Sequence, residues 1–296
     1  MHRVSPLVTT GWLSKVLTPG SQGIRVLDGS WYMPTSEGDA HKDYLEKHIP
    51  GAAFFDSEKV SDLTSPYSHT VPHPRLFGDY VGKLGITNDT HVIVYDNHKE
   101  YGMFSSPRVW WIMRLFGHHR VSVLEGGLPK WISEGHPTTH EVPQIEKTEY
   151  NVNFQPQLLK KFEDMMQNLK TKKFQVMDAR SRARFAGTVE EPRKGSLKLG
   201  HIPNSKNIPF MDLLDPETQQ MKPPEELKKI FAEGGIDLTK PLTATCGSGI
   251  TACIISLGAF LSGKEDVSVF DGSWEEYAQR ASSEDIVSAP QGPAGG

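Results

Sequence analysis

The chain of 296 residues holds only two cysteines, Cys246 and Cys253. Two thiols cannot build a disulfide framework, and such sparse use fits a reducing compartment. No Cys/His group has zinc-site spacing, so no metal is expected; His118 and His119 are adjacent and read as surface residues. No apolar run approaches the ~20 residues of a membrane span. There is no basic stripe. Lys and Arg number 32 against 36 Asp and Glu, a formal net charge of −4, which argues against a nucleic-acid partner. No secretory apolar segment opens the chain. Asp and Glu are absent from the first 27 residues, where Arg3, Lys15 and Arg25 stand, a faint likeness to a mitochondrial presequence. The stronger reading keeps the segment, with Val8 to Leu17 as the first helix. The expected location is cytoplasmic, mitochondrial or both.

What is present is a repeat. Ile24 to Asp28 is a short β-run ending in an acid, and Phe174 to Asp178 is another. The turn His48-Ile49-Pro50-Gly51-Ala52 returns as His201-Ile202-Pro203-Asn204. The strand His91 to Asp96 returns as Leu242 to Cys246. The helical stretch Ser105 to Phe116, amphipathic in pattern, returns as Cys253 to Leu261. Strand Val121 to Leu124, then Glu125-Gly126-Gly127 and a short helix from Trp131, returns as Val267 to Phe270 and Asp271-Gly272-Ser273-Trp274. Alternating strands and helices, twice over, predict an α/β fold: two tandem domains, each a mainly parallel sheet flanked by helices. The expected boundaries are 1–136 for the first domain and 157–287 for the second. A Pro-, Thr- and charge-rich linker spans 137–156, and 288–296 reads as a disordered tail.

One difference between the copies matters most. Where the first has Asp96, the second has Cys246. This thiol stands where an apolar strand meets Gly247-Ser248-Gly249 and an apolar helix. Backbone N–H groups and the positive end of the helix dipole would point at it, which favours a thiolate nucleophile. Aspartate cannot do thiol chemistry, so only the second copy is expected to be active. By the same comparison His48 and His201, present in both copies, are structural. Cys253, inside the apolar helix, reads as a small core residue.

These motifs together resemble the two-domain rhodanese superfamily of sulfurtransferases. The resemblance rests on the His48–Ala52 and Gly200–Pro203 turns, the Ser106-Pro107-Arg108-Val109-Trp110-Trp111 helix, the Cys246–Thr251 loop and the Asp271–Trp274 end. It runs from about Leu7 to Ile286. The loop is similar to that of the mercaptopyruvate-using branch; thiosulfate-using relatives carry two basic residues where Gly247 and Ser248 stand. The resemblance implies Cys246 as nucleophile and sulfur carrier, and a loop of Gly247, Gly249, Ile250 and Thr251 around the substrate sulfur. It implies Arg184 and Arg193 as ligands of a carboxylate. Arg184 matches Pro34 of the first copy; Arg180 and Arg182 read as solvated or as interdomain salt bridges. It further implies a relay of Ser248 and His69 with an acid, at Glu58 where the branch has aspartate; Asp62 is the rival. Substrate and acceptors would be 3-mercaptopyruvate and a thiol such as thioredoxin, or cyanide, with no cofactor beyond a cysteine persulfide.

Other readings remain. A cysteine loop before a helix also suits a protein phosphatase, but that chemistry needs an arginine closing the loop, and none lies between Cys246 and Leu261. A thiosulfate:cyanide sulfurtransferase would be expected to carry basic loop residues. A persulfide carrier or inert scaffold needs neither arginine.

Overall fold

A computed structural model describes residues 4–17, 23–192 and 197–289. They form two compact units. The first holds Met1–Ser65, Val71–Pro156 and Leu214–Met221; the second holds Pro66–Thr70, Gln157–Leu213 and Lys222–Gly296. Each unit thus contains a short stretch of the other repeat.

The first unit runs β1 (Leu7–Val8), α1 (Thr10–Val16), β2 (Ile24–Asp28), α2 (Ala40–Glu46), β3 (Ala53–Phe54), α3 (Pro74–Lys83), β4 (His91–Tyr95), α4 (Ser106–Leu115), β5 (Val121–Leu124) and α5 (Gly127–Ser133). Its five strands pair in parallel in the order β1-β5-β4-β2-β3. The second unit runs β6 (Leu159–Lys160), α6 (Phe162–Thr171), β7 (Gln175–Asp178), α7 (Arg182–Ala186), β8 (Lys206–Asn207), α8 (Pro224–Glu233), β9 (Leu242–Thr245), α9 (Ala252–Leu261), β10 (Ser268–Phe270) and α10 (Ser273–Arg280). Its order, β6-β10-β9-β7-β8, is the same pattern, again parallel throughout. The repeat is therefore a repeat of topology, element for element.

Local chemistry sets the elements. The buried middle strands are rich in β-branched residues: Val92, Ile93 and Val94 in β4, Thr243 and Thr245 in β9. Pro74 and Pro107 lie in the first turns of α3 and α4, where no amide partner is lost. Val26, Ile93, Tyr95, Leu124 and Trp131 fill the first core; Val176, Ile202, Phe270, Trp274 and Tyr277 fill the second.

Several expectations change. Leu7 and Val8 are strand, paired with Val123 and Leu124, so the first helix begins only at Thr10. The helix α4 is not amphipathic in its setting: all ten residues are buried, with Arg108 and Arg114 lying over the rings of Trp111 and Trp110. His118 is buried, its Nε2 3.0 Å from the Thr90 carbonyl oxygen, and desolvation lowers its pKa to about 4; His119 is exposed. Residues 137–156 run along the first unit. Thr139 bridges His48, the Thr148 N–H donates to the Gly82 carbonyl, and the Gln155 N–H donates to that of Leu115. Of the tail, 290–296 lie outside the described residues, while the Ala289 N–H donates to the Ala186 carbonyl.

The two units differ in how each treats its buried acid. Asp28 and Asp178 end β2 and β7, and both are 1% exposed. Asp178 has a buried arginine two residues on; Asp28 has Ser30. Burial raises the Asp28 pKa to about 7, against the lowering effect of its bonds from Ser30 and Tyr95, and the nearby charge of Asp96 adds to the rise. Below about pH 4 the group is protonated both in the folded and the unfolded chain. Between there and pH 7 the unfolded chain releases its proton while the native state keeps it. Native stability therefore falls with rising pH across that window and levels off above it. Asp28→Asn removes this loss. Urea unfolding should show it gaining a few kcal/mol over the parent chain, on the order of 1.4 per pH unit, between pH 4 and 7. A pH-independent difference would contradict the assignment.

Candidate active site

Cys246 follows β9, a middle strand of the second sheet, and is 2% exposed. The loop to α9 turns at Gly249, whose φ of +86° is the left-handed region glycine tolerates. That turn aims the Gly249 N–H at the Cys246 sulfur, at 3.1 Å. The loop's carbonyls are held by a different element. The Cys246 oxygen accepts from the Trp274 N–H at 2.9 Å, and the Gly247 oxygen from the Glu275 N–H at 3.0 Å. These are first-turn amides of α10, which have no partner inside their own helix. Ser273 completes the frame. Its hydroxyl accepts from the Cys246 N–H at 3.4 Å and donates to the Phe270 carbonyl at 3.1 Å. Its φ is +49°, a conformation costly for a residue with a Cβ. The first unit places Gly127 at the matching point, φ +56°, where a Cβ would come within 2.3 Å of the Asp96 oxygen.

The first unit shows what such a strand end binds. The Asp96 carboxylate oxygen Oδ2 accepts from the N–H groups of Phe104 at 2.8 Å, Ser105 at 3.0 Å and Ser106 at 2.8 Å, and from the Ser106 hydroxyl at 2.8 Å. The turn into α4 is a nest for one negative charge. The second unit offers the matching position to a sulfur.

Arg180 is not a solvated loop residue. Its side chain is fully buried and lies over the Trp274 ring, 4.4 Å from the centroid. It bonds both Asp178 oxygens, the Gly200 carbonyl and Glu191 Oε1. Burial acts to lower its pKa, but the charges of Asp178 and Glu191 outweigh it and hold the guanidinium above its usual value. The other Glu191 oxygen, Oε2, accepts from Nε and Nη2 of Arg184. Arg184, on α7, lies against the cysteine loop: a Cβ on Gly247 would come within 2.7 Å of its Nη2. Arg182 points elsewhere, to Asp212, and is largely exposed.

The remaining expected residues fall as follows. Ser248 is buried in the loop at 5% exposure, and Ile250 is buried beside it. Thr251 precedes α9 in a helical conformation. His69 lies in Pro66–Thr70, in the second unit, buried and with φ +57°. Glu58 lies in the first unit and accepts from the Trp31 indole N–H at 2.9 Å. Asp62, also there, accepts from the Thr64 amide and hydroxyl. Arg193 lies outside the described residues. Cys253 is buried in α9, its S–H donating to the Gly249 carbonyl at 3.2 Å. His48 and His201 bond backbone carbonyls, of Tyr44 and Phe185. Sequence reasoning missed Glu191 and Ser273. The pair Glu190-Glu191 beside Arg193 was a weak sign of the first; nothing in sequence marks the positive φ of the second.

Two parallel α/β units of one pattern, with a cysteine in a glycine loop at a strand end of the second, define a tandem α/β architecture with a single thiol-bearing loop at a strand end. The rhodanese-like domain family matches residues 34–134 and 160–280, and the chain belongs to it. The mouse 3-mercaptopyruvate sulfurtransferase is 48% identical over 288 residues, 97% of this chain and 96% of that protein. The rat thiosulfate sulfurtransferase is also 48% identical, over 291 residues, 98% and 96% of the two chains. Among solved structures, SseA from Escherichia coli, described as a 3-mercaptopyruvate sulfotransferase, superposes with a TM-score of 0.81 at 34% identity, covering 92% of this chain and 99% of that one. Tum1 from Saccharomyces cerevisiae gives a TM-score of 0.85 at 32% identity, covering 95% and 97%.

Arg180 bridges two buried carboxylates, so removing it takes the guanidinium from Asp178 and leaves Glu191 with Arg184 alone. Arg180→Ala should cost about 3–5 kcal/mol in urea unfolding. Arg180→Lys should recover only part, because an ammonium cannot reproduce the forked bonds. Equal stability of the alanine variant and the parent would show that the network is not a structural tie.

Proposed function

We propose that this chain is a 3-mercaptopyruvate sulfurtransferase. The two kinds of curated relative are equally identical to it, so overall similarity does not choose between them. The observation that carries the choice is the contact between Gly247 and Arg184. A side chain at 247 would meet the guanidinium at its first carbon. An arginine packed on a loop that carries no basic residue of its own suits a donor gripped at a distance, rather than a dianion met by basic residues on the loop itself. Mercaptopyruvate is such a donor, with one carboxylate remote from its sulfur. Among the described residues Arg184 gives Nε and Nη2 to Glu191, with Nη1 proposed for the ligand, and Arg193 is the second proposed carboxylate partner.

In the proposed reaction the Cys246 thiolate attacks the substrate sulfur. A sulfur–sulfur bond forms, the carbon–sulfur bond breaks, and its electron pair leaves on carbon as the enolate of pyruvate. Ser248 and His69 stabilise and protonate that enolate, with Glu58 as the proposed acid of the relay. The Gly249 N–H, already on the sulfur, favours the anionic persulfide. An acceptor thiol, such as that of reduced thioredoxin, then takes the outer sulfur and a second thiol releases hydrogen sulfide; cyanide gives thiocyanate instead. No metal or cofactor enters these steps.

The deciding experiment compares kcat/KM for mercaptopyruvate and thiosulfate on one preparation, with a mass spectrum after donor alone. The expected outcome is preference for mercaptopyruvate and the gain of one sulfur on Cys246, lost in Cys246→Ser. Preference for thiosulfate overturns the substrate assignment, and an unchanged mass overturns the mechanism. Gly247→Ala tests the arginine contact. Because the obstructing group is the end of a flexible side chain, the fold should hold and Arg184 should move. The expected result is a KM for mercaptopyruvate raised about tenfold at near-constant melting temperature.

A further inference from the structure

Glu275 is the second residue of α10, on the side of the cysteine loop, and its two ends do different things. Its backbone N–H donates to the Gly247 carbonyl at 3.0 Å, so the residue is anchored to the loop that carries Cys246. Its carboxylate reaches into the Pro66–Thr70 stretch. Oε2 accepts from the Ser68 N–H at 3.2 Å and Oε1 from the Ser68 hydroxyl at 3.3 Å. The next residue is His69, with φ +57° and only 6% exposure. A histidine in the left-handed region persists where its neighbours hold it there. The carboxylate also sits in the first turn of a helix, where the dipole favours negative charge. One side chain thus ties the backbone before His69 to the backbone after Cys246.

We infer that Glu275 is a positioning residue: by clamping Ser68 to the cysteine loop it fixes His69 for its part in sulfur transfer. The role of His69 rests on the sulfurtransferase reading above; the clamp itself rests on geometry alone. Glu275 touches no reacting atom, and its effect runs through the placement of an imidazole.

That placement has a distinctive kinetic signature. Mercaptopyruvate leaves as a carbanionic enolate, which must gain a proton at carbon. Thiosulfate leaves as sulfite, which carries away the electron pair of its sulfur–sulfur bond and needs no such proton. Loosening His69 should therefore impair persulfide formation from the first donor and spare the second. The test compares the full-length parent with Glu275→Ala, Glu275→Gln and Ser68→Ala. Single-turnover loading of Cys246 from mercaptopyruvate should slow about tenfold in Glu275→Ala, with KM little changed. Loading from thiosulfate should stay within about twofold. Glu275→Gln should recover most of the rate, since an amide accepts from the Ser68 N–H and donates to its hydroxyl. Ser68→Ala added to Glu275→Ala should cost little more than Glu275→Ala alone. Equal loss with both donors would mark Glu275 as a general support of the loop and overturn the inference, as would no loss with either.

Hydrogen exchange decides the clamp independently of activity. Amides of residues 67–70 should exchange about tenfold faster in Glu275→Ala than in the parent, with the Glu275→Gln variant close to the parent. Unchanged exchange overturns the clamp even if the parent proves an active sulfurtransferase. Faster exchange in Glu275→Ala, where the parent does not load sulfur from mercaptopyruvate, leaves the clamp standing, while the mercaptopyruvate reading and the role given to His69 fall together.

Discussion

The structure depends on a socket for one negative charge at the end of a middle parallel strand. A parallel strand feeding a helix leaves free N–H groups where the two meet, and something must satisfy them. In the first unit Asp96 does so permanently, with backbone amides at 2.8 to 3.0 Å. In the second the same position holds the Cys246 sulfur, to which the Gly249 N–H donates at 3.1 Å. The carbonyl of each socket residue is held alike: the Asp96 oxygen accepts from the Leu128 N–H at 3.0 Å, the Cys246 oxygen from that of Trp274 at 2.9 Å. The main chain is thus held alike whichever side chain fills the socket, and at that point the units differ as aspartate from cysteine.

A second constraint is charge compensation beneath the socket. Each unit buries an aspartate at the end of its neighbouring strand. The first leaves it with hydroxyl partners, and burial pushes its pKa up to about 7. The second inserts Arg180, and the compensation continues outward through Glu191 to Arg184. Buried ion pairs rarely add much net stability, but they hold geometry, because a misplaced charge in the interior is expensive. Here the geometry held is that of a guanidinium against Gly247. An interior requirement, neutralising Asp178, thereby places an arginine beside the cysteine loop.

Much of this was legible without coordinates. The alternation of β-branched runs and helical stretches, repeated at an offset of 150 residues, implied both the parallel sheets and the equivalence of Asp96 and Cys246. Periodicity could not reveal the setting of α4. A helix buried on all sides can carry arginines if their charged ends lie over indole rings, so Arg108 and Arg114 made a core helix look amphipathic. His118 misled for the same reason: a polar residue next to an exposed neighbour was satisfied by a carbonyl that only folding brings near. Arg180 could be read only as solvated or as an interdomain salt bridge, because beyond Asp178 its partners, Glu191 and the Gly200 carbonyl, lie eleven and twenty residues away and are brought near by the fold.

The sequence by itself determined the fold class, the duplication, the cysteine that stands in one copy where the other has aspartate, and the side-chain-free position after it, because these follow from local pattern and from comparing one half of the chain with the other. Only the tertiary structure decided which arginine is buried and which meets the loop, that Glu191 joins them, that Ser273 holds the Cys246 amide from a left-handed backbone, and that Ser68 reaches Glu275 across 207 residues of chain. Those are contacts between side chains far apart in sequence. Their identity is set by how sheets and helices pack, and no local pattern records it.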